Sequence, residues 1–273
     1  MEFKNLTPNV KIPVLGLGTW GMGGGMRPEH SNDSGQIEAI EYAIQKGITH
    51  IDTAEIYGAG HAEELVGAAI AAFDRKKLFI TTKVSPQHLF LKSQIKTSVK
   101  NSLKRLKTDY IDLYLIHWPN PLAPMRNVMA AFDKLVTKGL VRFVGVSNFS
   151  AKQLKSAQKY TKNKIVTNQV HYSLAHRGPE NQLLKICQDE KIILTAYSPL
   201  EQGRLIYNKF PSLDKIAQKY AKTPAQVALR WLIEKPQVIV IPKSAAKSHI
   251  DEIVGSIGWK LGREDIEYLN MTF

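Results

Sequence analysis

Eight short runs rich in β-branched residues alternate with longer amphipathic stretches, and this alternation limits the fold more than any other feature. The runs are "PVLGLGT" (13–19), "THID" (49–52), "LFITTKV" (78–84), "IDLYLIH" (111–117), "VRFVGVS" (141–147), "IVTNQVH" (165–171), "IILTAYS" (192–198) and "QVIVIP" (237–242). Helical patterns lie between them, among them "SGQIEAIEYAIQKG", "SQIKTSVKNSLKRL" and "TPAQVALRWLIEK". Strands separated by helices pair in parallel. Eight such units in 273 residues fit an α/β fold of the closed (β/α)8 TIM barrel type. An open doubly wound sheet is the competitor. The near-equal repeats show no topological switch point, and no GxGxxG opens the first unit. "GMGGGM" (21–26) has the wrong spacing and no helix directly behind it, so it reads as a flexible loop. "FKNLTPNVKIPVL" reads as a short N-terminal hairpin and "REDIEYLN" as an extra C-terminal helix. Thr223-Pro224 marks a helix start, and Gly47 and Gly139 fit the residue just past a helix end. With no linker or low-complexity tract, residues 1–273 are expected to form a single barrel domain.

Composition excludes several classes of partner. A hydrophobic content of 44% gives ample core, yet no stretch approaches the roughly 18 apolar residues of a membrane span. The opening "MEFKNLTPNV" carries no apolar segment, so no signal peptide is expected. The single cysteine, Cys187, suits a reducing cytoplasm and reads as a small core residue within "LLKICQDEK". The net charge of +13 invites a nucleic-acid reading. The lysines are spread along solvated helix faces without interleaved aromatics, and that reading falls. Attraction for an anionic small molecule remains. A monomer or weak oligomer is expected.

In such a barrel, chemistry belongs at the C-terminal ends of the strands. Asp52 closes the second strand, Lys83 the third and His117 the fourth, while Tyr57 follows Asp52 on the same loop. Each alone has an ordinary structural reading; their convergence on one mouth favours a site. No Ser-His-Asp constellation is present, and no HExxH or paired Cys/His spacing suggests a metal. A free phenol with its pKa near about 10 is a weak acid at neutral pH. An ammonium beside it is expected to lower that value, and a carboxylate to hold the ammonium. Tyr57 then becomes a proton donor, tuned by Lys83, anchored through Asp52, with His117 orienting a carbonyl. A hydride source is missing.

The runs "DTAEIYG", "TTKV", "LYLIHWP", "VGVSNF", "TNQVHY", "TAYSPL" and "VIPKS" resemble, in order and over nearly the whole chain, the motifs of the aldo-keto reductase family. The resemblance implies a barrel that binds NADPH in extended form and reduces aldehydes and ketones, with Asp52, Tyr57, Lys83 and His117 as its tetrad. Carried over motif by motif, Ser147, Asn148 and Gln169 resemble the partners of the nicotinamide carboxamide, and Tyr197 the aromatic that stacks on its ring. Thr19 joins the cofactor contacts. Ser198 and Leu200, with Gly203 and Leu205 beyond, lie on the loop expected to cover the pyrophosphate. Lys243 and Ser244 resemble the grip on the 2′-phosphate, which a cation and a hydroxyl suit.

The sequence departs from the pattern nearby. His249 stands six residues after Lys243, where many members carry an arginine. Glu252 remains available to the adenine, but Ile253 replaces an asparagine. NADPH is therefore expected over NADH by a reduced margin, with NADH possible and Lys247 as a second cation. Trp20 and Trp118 are expected to line the substrate pocket. The end at Phe273, soon after the last helix, suggests a truncated substrate loop and an open mouth. His117, where reducers of steroid double bonds carry Glu, points to carbonyl reduction. Two rivals stand beside it: a nucleotide-binding regulatory subunit with little or no turnover, and an aldolase using Lys83 for a Schiff base.

Overall fold

The computed structural model describes residues 1–273. A hairpin, β1 (Phe3–Thr7) and β2 (Val10–Pro13), opens the chain. Eight parallel strands follow: β3 (Gly16–Gly18), β4 (His50–Asp52), β5 (Phe79–Val84), β6 (Ile111–Ile116), β7 (Val141–Ser147), β8 (Ile165–His171), β9 (Ile193–Tyr197) and β10 (Val238–Val240). They pair in chain order from β3 to β10. The ends of this sheet meet: Val240 N–H donates to Val14 O and Gly18 N–H to Pro242 O, both at 2.9 Å. The strands thus form a nearly closed barrel, as the alternation predicts. Strands β5 and β6 are buried at every position, which is why they read as continuous apolar runs without a period of two.

The hairpin fixes which end of the barrel is open. Its Leu6 and Ile12 pack against Phe79, Leu113, Ile193 and Ile239, side chains of four barrel strands. Phe79 and Ile193 are the first residues of their strands, so the hairpin plugs the end where strands begin. Lys4 reinforces the plug by donating to Ile233 O at 2.7 Å and Lys235 O at 2.6 Å, carbonyls at the end of a helix that have no intrahelical donor. The opposite mouth is left for chemistry.

Helices α1 (Asp33–Gln45), α2 (His61–Ile70), α3 (Lys92–Leu106), α4 (Met125–Thr137), α5 (Ala151–Gln158) and α6 (Leu183–Asp189) cover the barrel where the sequence places them. Three further helices were not legible: α7 (Arg204–Tyr207), α8 (Pro211–Tyr220) and, after α9 (Pro224–Glu234), α10 (Lys247–Val254). The final helix, α11 (Arg263–Thr272), matches expectation. Thr223 and Gln226 form a reciprocal capping box with Pro224 at the first turn of α9. Gly47 and Gly139 have φ of 93° and 68° and face open space, so backbone conformation alone calls for glycine there.

Two expectations need correction. The first barrel strand is shorter than 13–19, because Pro13 belongs to the hairpin. The glycine-rich segment is not a free loop either. Gly23 N–H donates to Gln36 Oε1 at 2.6 Å, Gly25 O accepts from Gly58 N–H at 2.6 Å, and Met22 is fully buried. Its glycines let the backbone pack directly on the turn that carries Tyr57.

Candidate active site

The strand ends place the predicted groups together. Asp52 is the last residue of β4, and its carboxylate is buried. Lys83, inside β5, donates to Asp52 Oδ1 at 2.5 Å, to Thr53 O at 2.8 Å and to the Tyr57 hydroxyl at 3.3 Å. All three ammonium protons thus have acceptors, which is the condition for burying such a charge. The second carboxylate oxygen of Asp52 accepts from Gln169 Nε2 at 2.7 Å. Thr19 Oγ1 donates to the backbone carbonyl of Asp52 at 3.0 Å, tying β3 to the same point.

Tyr57 reaches this cluster through a tight turn. Gly58, Ala59 and Gly60 follow it with φ of 55°, 53° and 104°, three successive left-handed residues. A Cβ on Gly58 would lie 2.2 Å from Gly23 O, so only glycine fits. The Tyr57 ring meets Trp20 edge-on at 5.0 Å and His117 edge-on at 5.7 Å.

Electrostatics differ from expectation at the phenol. Burial dominates and raises the Tyr57 pKa above its ordinary value; the Lys83 ammonium pulls it down, and the Asp52 carboxylate offsets part of that pull. The expected lowering by Lys83 is therefore present but outweighed. Burial acts downward on Lys83 as well, yet Asp52 and Tyr57 together hold its pKa above the usual lysine value. Burial, with Lys83 nearby, pushes His117 down to about 3, so its imidazole is neutral at physiological pH. The Nδ1 atom of His117 is buried and has no partner.

A cavity of about 1000 Å³ opens above this cluster. Asp52, Tyr57 and His117 line its floor, with Trp20 and Trp118 half-exposed beside them. Lys83 does not reach the cavity: it is fully buried behind Asp52 and Tyr57. The expectation that four groups project into one mouth is corrected to three groups and a buried cation.

The cavity then runs past Ser147, Asn148, Gln169 and Tyr197 to Lys243, Ser244, His249 and Glu252. Asn148 Nδ2 donates to His117 O and to Ser147 Oγ, both at 3.0 Å, while its Oδ1 accepts from the Tyr197 hydroxyl at 2.9 Å. Ser147 Oγ donates in turn to Gln169 O at 2.9 Å. These polar groups are positioned by one another. Thr19, Ser198, Leu200 and Gly203 also line the cavity, whereas Leu205 is buried in the core. Lys247 is outside the cavity, paired with Glu38 at 3.2 Å, and the expected second cation is thereby removed. Ser244 Oγ is engaged in its own turn, donating to Ala246 O at 3.2 Å and accepting from Ala246 N–H at 3.1 Å. Sequence reasoning missed Ile206 and Tyr207, on the four-residue α7, and Ala245 and Ala246. A helix of one turn leaves no periodicity to read.

The cavity fits an extended dinucleotide phosphate. Its length carries apolar and amide groups near the cluster and an exposed lysine, free of any carboxylate partner, at the far end. This donor chemistry suits a phosphate. A barrel with a buried carboxylate–ammonium–phenol line beneath such a cleft defines a (β/α)8 oxidoreductase.

Comparison with known proteins narrows the class. The sequence model of the "Aldo/keto reductase family" matches residues 14–272. The chain is 35% identical over 269 residues to methylglyoxal reductase YeaE of Escherichia coli (strain K12), covering 97% of this chain and 92% of that protein. The thermostable aldo-keto reductase Tm1743, solved with the inhibitor epalrestat, superposes with a TM-score of 0.97 at 43% identity, covering 100% of both chains. An aldo/keto reductase from Klebsiella pneumoniae, solved with NADP and acetate, gives 0.88 at 36% identity, covering 96% of this chain and 91% of that one. The chain belongs to the aldo/keto reductase family and is an oxidoreductase.

Proposed function

We propose that this protein reduces small aldehydes and ketones to alcohols with NADPH, using Tyr57 as proton donor, Lys83 and Asp52 as its support and His117 as the group that orients the carbonyl. The observation that carries the reading is the Tyr57 hydroxyl, hydrogen-bonded to Lys83 at 3.3 Å and opening on the cavity floor. Bound NADPH supplies the hydride. Ser147, Asn148, Gln169 and Tyr197 would hold its nicotinamide end, Thr19, Ser198 and Leu200 its middle, and Lys243, Ser244, His249 and Glu252 its adenosine end.

The chain's own groups do the rest. His117, neutral and fixed at the end of β6, offers a hydrogen bond to the carbonyl oxygen without bringing a charge. As the carbonyl carbon is reduced, its oxygen becomes an alkoxide. An alkoxide resembles hydroxide in basicity and is a far stronger base than a phenolate. The phenol of Tyr57 is therefore acid enough to give up its proton even with its pKa raised. The new C–H and O–H bonds complete the alcohol, and Tyr57 is left as a phenolate beside Lys83. The reaction is reversible, and the reverse direction starts from that phenolate, which takes the proton back from the alcohol.

The open mouth between Trp20, Trp118 and Tyr207 suits short carbonyl compounds, and the methylglyoxal reductase relative supports α-oxoaldehydes within that class. The same reading has residues 1–273 acting as one barrel domain, monomeric or weakly associating, in the cytoplasm. No helix is long and apolar enough to cross a membrane. NADPH oxidation followed at saturating cofactor over a panel of aldehydes, aldoses and dicarbonyls tests the reading. Turnover of short aldehydes supports it; binding of NADPH with no turnover of any carbonyl would replace it with a regulatory nucleotide-binding role.

A further inference from the structure

The loop that carries Tyr57 ends in a second cluster of side chains, which carbonyl reduction does not use. His61 is the first residue of α2, Asp33 the first of α1, and His30 lies on the segment that joins the glycine-rich loop to α1. His61 Nε2 is 2.8 Å from Asp33 Oδ1, and His30 Nδ1 is 3.3 Å from Asp33 Oδ2. The donor atoms of the three residues all lie within 4.8 Å of one another, and the two imidazole centroids are 4.0 Å apart. On its other side, His61 Nδ1 meets Glu64 Oε2 at 2.9 Å.

We propose that His30, Asp33 and His61 form a binding site for a single divalent transition metal of the zinc class, with Glu64 orienting His61 from outside. Two imidazoles and one carboxylate are a borderline donor set that suits zinc, cobalt or nickel; magnesium and calcium call for oxygens alone. Metal–donor bonds of about 2.0–2.2 Å around a tetrahedral centre place donors about 3.3–3.6 Å apart. The two carboxylate–imidazole spacings, 2.8 and 3.3 Å, lie at or just below that figure, and the side chain that must adjust most freely, His30, is 64% exposed. His61 is the fixed member, with its side chain only 8% exposed. Its second nitrogen is already held by a carboxylate, the arrangement that sets ring orientation in metal-ligating histidines. Water can complete the shell on the exposed side.

The site would join two separate parts of the chain, residues 30–33 and the start of α2, at a point four residues beyond Tyr57. Gly25 and Gly58 already bond across the same junction. Metal binding would therefore stiffen the support of the Tyr57 turn without entering the cavity, which none of the three residues lines.

Titration of the tag-free protein with Co2+ alone, read by its visible absorption, and with Zn2+ alone, read by calorimetry, tests the proposal. One equivalent of each is expected to bind saturably, with the intense visible bands of tetrahedral Co2+. His30→Ala changes an exposed residue outside the reduction site and should keep the fold by circular dichroism and the NADPH-dependent turnover; it is expected to weaken both metals by at least tenfold. Glu64→Gln should weaken Zn2+ by about 10–100-fold while keeping one equivalent. Failure of the unmodified protein to bind either metal saturably would overturn the proposal. So would a folded His30→Ala variant that binds within tenfold of it, which would locate the metal at other histidines.

Discussion

Gln169 donates its side-chain amide to Asp52 Oδ2 at 2.7 Å, joining the third residue from the end of β8 to the last residue of β4 across 117 positions of sequence. The bond gives Gln169 a structural duty besides lining the cofactor cleft. Gln169→Leu would strand a buried carboxylate oxygen. Urea unfolding of the cofactor-free protein at pH 7 should show a loss of about 1.5–3 kcal/mol, the range for hydrogen bonds to charged groups. A Gln169 that served only the cofactor would leave the cofactor-free stability unchanged.

Asp52 and Lys83 should be strongly coupled. Lys83→Met leaves a buried carboxylate without its cation and is expected to cost about 3–5 kcal/mol. Asp52→Asn leaves the ammonium uncompensated and should cost a similar amount. The double variant removes both charges and should recover most of that stability, while turnover stays lost in all three. A double-mutant cycle measured by urea unfolding checks this; additive losses would contradict a buried, mutually compensating pair.

Two buried histidines make stability sensitive to acid. Burial holds His117 at about 3 and His50 at about 4, both below the ordinary 6.5. Between those values and 6.5 the unfolded chain binds protons that the folded chain does not. Their contribution is complete above pH 6.5 and is lost as pH falls towards 4 and then 3, at up to about 1.36 kcal/mol per pH unit for each histidine. Tyr57 has the opposite consequence, at the alkaline end. Its raised pKa keeps the proton-donating form through neutral pH, so the reduction rate should stay level from pH 6 to 9 in a buffer series and fall only above the ordinary phenol value of about 10. A fall beginning near pH 8 would show a phenol lowered by Lys83 after all.

Cofactor preference should rest on one cation. Lys243 lines the far end of the cavity, and Lys247 is paired elsewhere with Glu38. Lys243→Met should lower kcat/KM for NADPH by about tenfold, equivalent to about 1.4 kcal/mol, with little effect on NADH. His249→Arg should widen the preference for NADPH by restoring a bidentate donor. Equal or better efficiency of the unmodified protein with NADH would refute the assignment of this end of the cleft.

What the sequence revealed follows from how strands advertise themselves. The apolar runs of β4 and β6 give way to Asp52 and His117, so these two could be placed at one mouth from the pattern alone, whereas Ser147 and Gln169 follow only from the family resemblance. The depth of Lys83 could not be placed from the pattern, because it depends on the Tyr57 turn folding over it, and that turn depends on contact between Gly58 and Gly23. The direction of the Tyr57 pKa was illegible for the same reason. It is a contest between one visible charge and an amount of burial that only tertiary structure sets. Helices α7, α8 and α10 escaped because they are short or dominated by lysine and other polar residues. The His30–Asp33–His61 cluster has no complete motif spacing, since His61 meets the other two only when α1 and α2 pack side by side.

The most direct test of the central claim is Tyr57→Phe, measured for both NADPH binding and carbonyl reduction. The substitution removes one hydroxyl and keeps the ring that packs on Trp20 and His117. NADPH affinity, read by quenching of tryptophan fluorescence, should be close to that of the unmodified protein, while kcat falls by about 10²–10⁴-fold, the contribution typical of a positioned proton donor. A variant that retains kcat within a few-fold would contradict the account, because the proton would then come from somewhere other than Tyr57.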